Sequence, residues 1–213
     1  MRMRKKKWAM PFLQEHPEFV IFEPEINKGR WKEVFKKDKL HIEIGCGKGD
    51  YFIQMSKMYQ DEAWLAIEKD YNCAAVAAKK ALEDINDNAL LVTKDAQDIA
   101  NWFADKEVDV IHLNFSDPWP KSKNSKRRLS HSNFLQQYHK ILSDEGQIIL
   151  KTDNQKFFEF SLVEFTHANF ELVQVWVDFR RDVHDEDAIS EYEAKFMGLG
   201  QPIYRAIFAK VVL

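Results

Sequence analysis

Leu40-His-Ile-Glu-Ile-Gly-Cys-Gly-Lys-Gly-Asp50 is the stretch from which the rest of the chain is read. A β-type run, Leu40–Ile44, is followed at once by Gly45, Gly47 and Gly49, three of only seven glycines in the chain. A glycine turn between a strand and a helix lets backbone N–H groups approach a ligand closely. A helical pattern, Tyr51–Tyr59, comes next. Further strands are predicted at Ala63–Ile67, Ala89–Thr93, Val108–Phe115 and Gln147–Lys151. Between and after them lie helical patterns at Tyr71–Ile85, Ala96–Phe103, Ser132–Leu142 and Gln155–His167. Their apolar residues recur three and four apart, as in Tyr71, Ala74, Ala75, Ala78 and Leu82. Such alternation implies right-handed crossovers and a parallel sheet. Phe170–Phe179 and Ile203–Val212 follow with no long helix between them, which predicts an antiparallel pair at one sheet edge. The expected fold is an α/β, Rossmann-like sandwich. It has a mostly parallel seven-stranded sheet, an antiparallel C-terminal strand and helices on both faces. Regular patterning begins at residue 39, so one domain is expected over 39–213. A basic extension, 1–38, with prolines at 11, 17 and 24, precedes it.

At 213 residues, 45% hydrophobic and 31% charged, the chain can bury a full core, and disorder and a collagen-like fibre are excluded. No apolar run approaches the ~20 residues that span a bilayer, and no apolar signal core follows the basic N-terminus; a cytoplasmic protein with no membrane contact is expected. Cys46 and Cys73 are too few for a disulfide framework or a zinc site, so no metal is expected. The net charge of -3 does not announce a nucleic-acid binder, but its distribution is polarised. Five of the first seven residues are basic. Lys121, Lys123, Lys126, Arg127 and Arg128 form a run with no acid, and Asp182 to Glu193 holds six acids and no base. Such runs are either solvated surface or one face for a polyanion.

The glycine pattern is G-x-G-x-G, which departs from the dinucleotide fingerprint G-x-G-x-x-G and resembles the first motif of S-adenosylmethionine-dependent methyltransferases. Plain tight turns would also use these glycines. Acids at strand ends add weight. Glu68 ends the second of these strands, 19 residues after Gly49, where a carboxylate can accept from both ribose hydroxyls of an adenosyl ligand. Asp95 ends the third, where methyltransferases place an acid near the adenine amine and where an Asp is also a good helix N-cap. Glu43 lies within a strand expected to be buried, where a carboxylate is costly unless paired, and a ligand ammonium would pair with it.

After the fourth strand comes Asn114-Phe-Ser-Asp-Pro-Trp-Pro-Lys121. Its prolines hold Asp117 and Trp119 with little entropy left to lose on binding, at the strand end where parallel sheets bind ligands. The loop is a variant of the Asp/Asn-Pro-Pro-aromatic loops of amino-group methyltransferases.

With Lys126-Arg-Arg-Leu129, Lys151-Thr-Asp-Asn154, Glu191-Tyr-Glu193 before Lys195-Phe196, and Gly200-Gln-Pro-Ile-Tyr-Arg205, this loop resembles the signature of bacterial tRNA (guanine-N7-)-methyltransferases over nearly the whole chain. The resemblance implies a class I methyltransferase domain over 39–213. It implies methyl transfer from S-adenosyl-L-methionine to N7 of guanine 46 in the tRNA variable loop, by a monomer or homodimer. It places Glu43, Gly45, Gly47, Gly49, Glu68, Asp95 and Asp117 at the cofactor. Lys121, Asp153, Ser190, Glu191, Tyr192 and Glu193 would meet the substrate, and Lys123, Lys126, Arg127 and Arg128 the RNA. The chain departs from the family at Ser122-Lys-Asn124, where Lys-Arg-His is usual, and at Ser190, where Thr is usual. Ser190 with Glu193 also fits a capping box. N7 of guanine has a free lone pair, so no base need remove a proton. Asp117, expected to be the catalytic residue, or Asp153 would then stabilise the cationic purine, Trp119 could stack on it, and His112 reads as core-adjacent.

Overall fold

The computed structural model describes residues 5–83 and 87–212, and its contacts divide the chain into two units, Met1–Ala104 and Asp105–Leu213.

The first unit contains α1 (Ala9–Gln14), β1 (Val20–Ile21), α2 (Trp31–Phe35), β2 (Leu40–Ile44), α3 (Asp50–Met58), β3 (Ala63–Ile67), α4 (Tyr71–Leu82) and β4 (Ala89–Val92). Its strands run parallel in the order β1-β4-β3-β2. Every residue of β2 and β3 is buried, which is what helices on the faces of a parallel sheet require. The core joins Leu13, Phe19 and Val20 to Phe52, Leu91 and the alanine face of α4. Alanines let α1 approach α4 closely and are the best helix formers. Burying Leu13 fully is worth about 1.5–3 kcal/mol. Asp70 starts α4 by accepting from the Asn72 and Cys73 N–H groups.

The second unit contains β5 (Val108–Asn114), α5 (Ser132–Ile141), β6 (Leu142–Thr152), α6 (Gln155–His167), β7 (Phe170–Trp176), α7 (Glu191–Gly198) and β8 (Tyr204–Lys210). The strand order is β5-β6-β8-β7, with β5 and β6 parallel and β8 antiparallel to both of its neighbours. The terminal antiparallel pair at a sheet edge is therefore present, and the Rossmann-like α/β class holds.

Three expectations are corrected. Among the described residues there are eight strands, not seven. The additional one, β1, is a two-residue run after Pro17, too short to show a period, and it forms because Thr93 donates to the Ile21 carbonyl and Leu91 to that of Phe19. Ala96–Phe103 is not an α-helix but a 3-10 turn over Ala96–Asn101, interrupted at Asp98, whose φ/ψ are non-helical. The helix expected to reach Ile85 ends at Leu82, and Ile85 itself lies outside the described residues, as do Arg2 and Arg4 of the basic start.

Candidate active site

In the first unit the turn after β2 is built on three left-handed glycines, with φ of 81° at Gly45, 59° at Gly47 and 83° at Gly49. The Gly45 and Cys46 N–H groups both donate to the Ile67 carbonyl, at 2.8 and 3.1 Å, which pins the turn to the end of β3. Gly49 starts α3 and has no room for a side chain, since a Cβ there would lie 2.8 Å from Ala77 Cβ and 2.7 Å from Phe52 Cε1. Gly45 and Gly47 differ, because a Cβ on either would meet nothing within 4 Å. Their glycines serve conformation and leave an open cradle.

Glu68 borders that cradle. Its Oε2 accepts from the Gly47 N–H at 3.0 Å and its Oε1 from the Asp70 N–H at 2.8 Å, which leaves lone pairs on both oxygens. Burial raises its carboxyl above the ordinary range, opposed by those two N–H groups. Glu43 is buried in β2. The Cys46 thiol is pushed well up by burial and then by the charges of Glu68 and Glu43, so it is no nucleophile. Cys73 is raised to about 11, also by burial first. Asp95 is exposed; it caps the 3-10 turn by accepting from the Gln97 N–H at 3.2 Å and lies 3.5 Å from Lys69 Nζ.

In the second unit the loop after β5 carries two strained residues. Phe115 and Trp119, neither a glycine, have φ of 50° and 40°. Each costs about 1–3 kcal/mol, and such strain clusters where a site needs it. The Phe115 N–H donates to the Lys151 carbonyl at 2.8 Å. Its ring meets that of Tyr192 at 5.3 Å. The Tyr192 phenol is raised by burial and then by the charges of Asp153 and Asp117. Burial likewise raises Asp153. Asp117 is exposed in its loop.

Lys121 and the turn Ser122–Arg127 carry the basic run, with Lys121, Lys123, Lys126 and Arg127 exposed. Ser122 and Asn124, the two departures from the family pattern, lie in the same turn. Arg127 covers one face of the Trp119 ring at 4.9 Å. Arg128 is used differently from expectation. Its guanidinium donates to the carbonyls of Pro118, at 2.9 Å, and Trp119, at 3.1 Å, and lies 4.1 Å from the Phe160 ring. Two of its five N–H donors thus hold the proline loop.

The Ser190 run divides as well. Ser190 Oγ accepts from the Glu193 N–H at 3.1 Å and so starts α7, while Glu191 and Tyr192 are exposed. The Glu193 side chain is fully buried. Its Oε1 accepts from Arg180 Nε at 2.6 Å and its Oε2 from Lys151 Nζ at 3.1 Å. The substrate contact expected of Glu193 does not fit this burial. The sequence assigns no site role to Lys151, Arg180 or Asp187, although Lys151 opens the Lys151-Thr-Asp-Asn154 motif and ends the apolar run Ile148-Ile-Leu-Lys151, and Asp187 lies in the acidic run. His112 is buried in β5, as read. No group of three or more His, Cys, Asp or Glu side chains suited to a metal occurs among the described residues. No described helix is long and apolar enough to cross a membrane.

A glycine cradle beside strand-end carboxylates, on an α/β frame of this order, defines a methyltransferase fold. Comparison with known proteins agrees. Residues 37–206 match the family described as "Putative methyltransferase". The tRNA (guanine-N(7)-)-methyltransferase of Geobacillus kaustophilus (strain HTA426) is 43% identical over 206 residues, covering 96% of this chain and 95% of that protein. That of Limosilactobacillus reuteri (strain DSM 20016) is 43% identical over 209 residues, covering 97% and 98%. Among solved structures, a SAM dependent methyltransferase from Aquifex aeolicus superposes with a TM-score of 0.59 at 15% identity, over 95% of this chain and 98% of that one. An antibiotic related methyltransferase gives 0.63 at 17%, over 84% and 92%. At these identities the solved structures speak to the fold alone. The chain belongs to the tRNA (guanine-N(7)-)-methyltransferase family.

Proposed function

We propose that this protein transfers the methyl group of S-adenosyl-L-methionine to N7 of a guanine in tRNA, guanine 46 of the variable loop. What carries the reading is the Phe115–Tyr192 aromatic contact, with Asp117 exposed in the loop that joins Phe115 to the exposed basic turn Ser122–Arg127. An aromatic, anionic group suits a base that becomes cationic, and a basic turn suits the phosphates around it. The names of the relatives support the same substrate.

The first unit fits the cofactor. Gly45 and Gly47 leave the cradle open, and Glu68 keeps lone pairs for two ribose hydroxyls. Glu43 offers a buried carboxylate to an ammonium, and Asp95 an exposed one near the end of β4. When bound, the sulfonium supplies an electrophilic methyl group. No residue of the chain needs to take a proton from N7, whose lone pair is free. Asp117 and Asp153 then orient the base by accepting from its N1–H or N2–H and stabilise the positive charge that develops on the purine. Trp119, with the Arg127 guanidinium 4.9 Å from its ring, is the aromatic side chain that stacks on the base. Lys121, Lys123, Lys126 and Arg127 neutralise phosphates.

The test is incubation of the protein with an unmodified tRNA transcript and methyl-labelled S-adenosylmethionine, followed by nucleoside mass spectrometry. Label in 7-methylguanosine is the expected result. Label in another nucleoside, or none, overturns the reading.

A further inference from the structure

Four charged side chains of the second unit lie together out of solvent. Lys151 and Glu193 have fully buried side chains, Asp187 is 3% exposed and Arg180 6%. Lys151 Nζ donates to Asp187 Oδ2 at 2.6 Å and to Glu193 Oε2 at 3.1 Å. Arg180 donates from Nη2 to Asp187 Oδ2 and from Nε to Glu193 Oε1, both at 2.6 Å. Both cations also reach the Ala188 carbonyl, at 3.4 and 3.1 Å. Two cations and two anions thus close a ring that ties the end of β6 to the start of α7.

Stability alone is a poor reason to keep such a ring. Apolar side chains of similar volume would pack as well, because desolvating charges offsets most of their attraction. What a ring of directed hydrogen bonds does supply is geometry. Lys151 is its node: its carbonyl accepts from the Phe115 N–H at 2.8 Å, while its side chain holds Glu193, the neighbour of Tyr192. One residue therefore sets the backbone beneath both rings of the Phe115–Tyr192 contact. Arg180 is seated by its own neighbour. Phe179 is fully buried, its N–H donates to the Ile203 carbonyl at 2.7 Å, and its ring lies 4.6 Å from the Arg205 guanidinium.

We propose that Lys151, Arg180, Asp187 and Glu193 are positioning residues of the methyl transfer: they hold the first turn of α7 so that Tyr192 faces Phe115, where the base is bound. This rests on the function proposed above, and it assigns Glu193 and the interior of the acidic run to holding the site without touching substrate.

Arg180→Met removes the fork that joins Glu193 to Asp187, Arg180→Lys keeps its charge, and Glu193→Gln keeps the shape of its partner. Each full-length variant is compared with wild type in S-adenosylmethionine affinity, in hydrogen exchange of the α7 amides, and in single-turnover methylation at saturating tRNA. Phe165→Leu, in the core against Phe208, controls for lost stability. For Arg180→Met the cofactor affinity is expected to stay within about twofold. Its α7 exchange should rise, and its rate fall, by about tenfold or more, the scale of a small misplacement. Arg180→Lys should recover part of both, and Phe165→Leu should keep the wild-type rate while melting lower. If Arg180→Met does not fold, Arg180→Lys and Glu193→Gln decide on the same readouts. Folded variants with wild-type rate, or slow variants whose α7 exchange is unchanged, overturn the proposal. A wild-type protein that leaves tRNA unmethylated sinks the function instead, and α7 exchange unaltered in every variant then overturns the ring's holding role separately.

Discussion

Glu68 Oε2 accepts a hydrogen bond from the backbone N–H of Gly47 at 3.0 Å, across 21 residues of chain. The acid at the end of β3 thereby shapes the glycine turn as well as facing the space the turn leaves open.

Glu68→Ala should therefore do two things. It removes the acceptor proposed for the ribose, lowering cofactor affinity by about 1.5–3 kcal/mol, the range for hydrogen bonds to a charged group. It also frees the Gly47 and Asp70 N–H groups, so thermal stability should fall without loss of the fold. Calorimetry and a melting curve measure both; unchanged affinity would remove Glu68 from the site.

The glycines of the turn should separate stability from binding. Gly49→Ala meets Ala77 and Phe52 and forces a left-handed alanine, at a combined cost of about 2–5 kcal/mol. Gly47→Ala meets nothing and should lose only the left-handed strain, about 1–2 kcal/mol. Its Cβ enters the open cradle, so cofactor affinity should suffer more than the melting temperature. Equal losses of stability in the two variants would contradict this division.

Arg127 and Arg128 are neighbours with opposite expected phenotypes. Arg127→Ala should flatten the salt dependence of tRNA binding by about one unit of slope. Arg128→Lys keeps the charge but loses the fork that holds the Pro118 and Trp119 carbonyls. It should leave the salt slope intact and lower turnover. Binding titrations from low to high salt, paired with single-turnover rates, read the two effects; a reduced slope for Arg128→Lys would return it to the phosphate contacts.

Asp117→Asn should lower turnover about 10²-fold with tRNA affinity little changed, comparable to losing one preorganised electrostatic contact. Asp153→Asn should also lower turnover, and it should stabilise the protein at neutral pH. Burial raises the Asp153 pKa in the folded state. The folded protein therefore holds that proton more tightly, and stability falls as pH rises from the ordinary carboxylate value through the raised one. The melting difference between Asp153→Asn and wild type should shrink below about pH 4. A wild-type rate for Asp117→Asn would make Asp153 the principal candidate.

Local signals carried much of this molecule. Three glycines after an apolar strand, acids at strand ends and a proline-fixed loop each act within a few residues, so the frame, the glycine turn and the proline loop were legible from the order of residues. Ser190 as a helix cap is equally local. Tertiary structure decided what depends on partners distant in sequence. Val20 and Ile21 are a strand only because β4 offers them an edge. Arg128 and Arg127 are indistinguishable as a basic pair until Phe160 and the Pro118 carbonyl arrive beside one of them. The acidic run reads as solvated surface until the fold brings Lys151, 42 residues away, to Glu193. A charge in sequence shows its sign; whether it faces water, a phosphate or a buried counter-charge is set by desolvation, and desolvation exists only once the chain has packed.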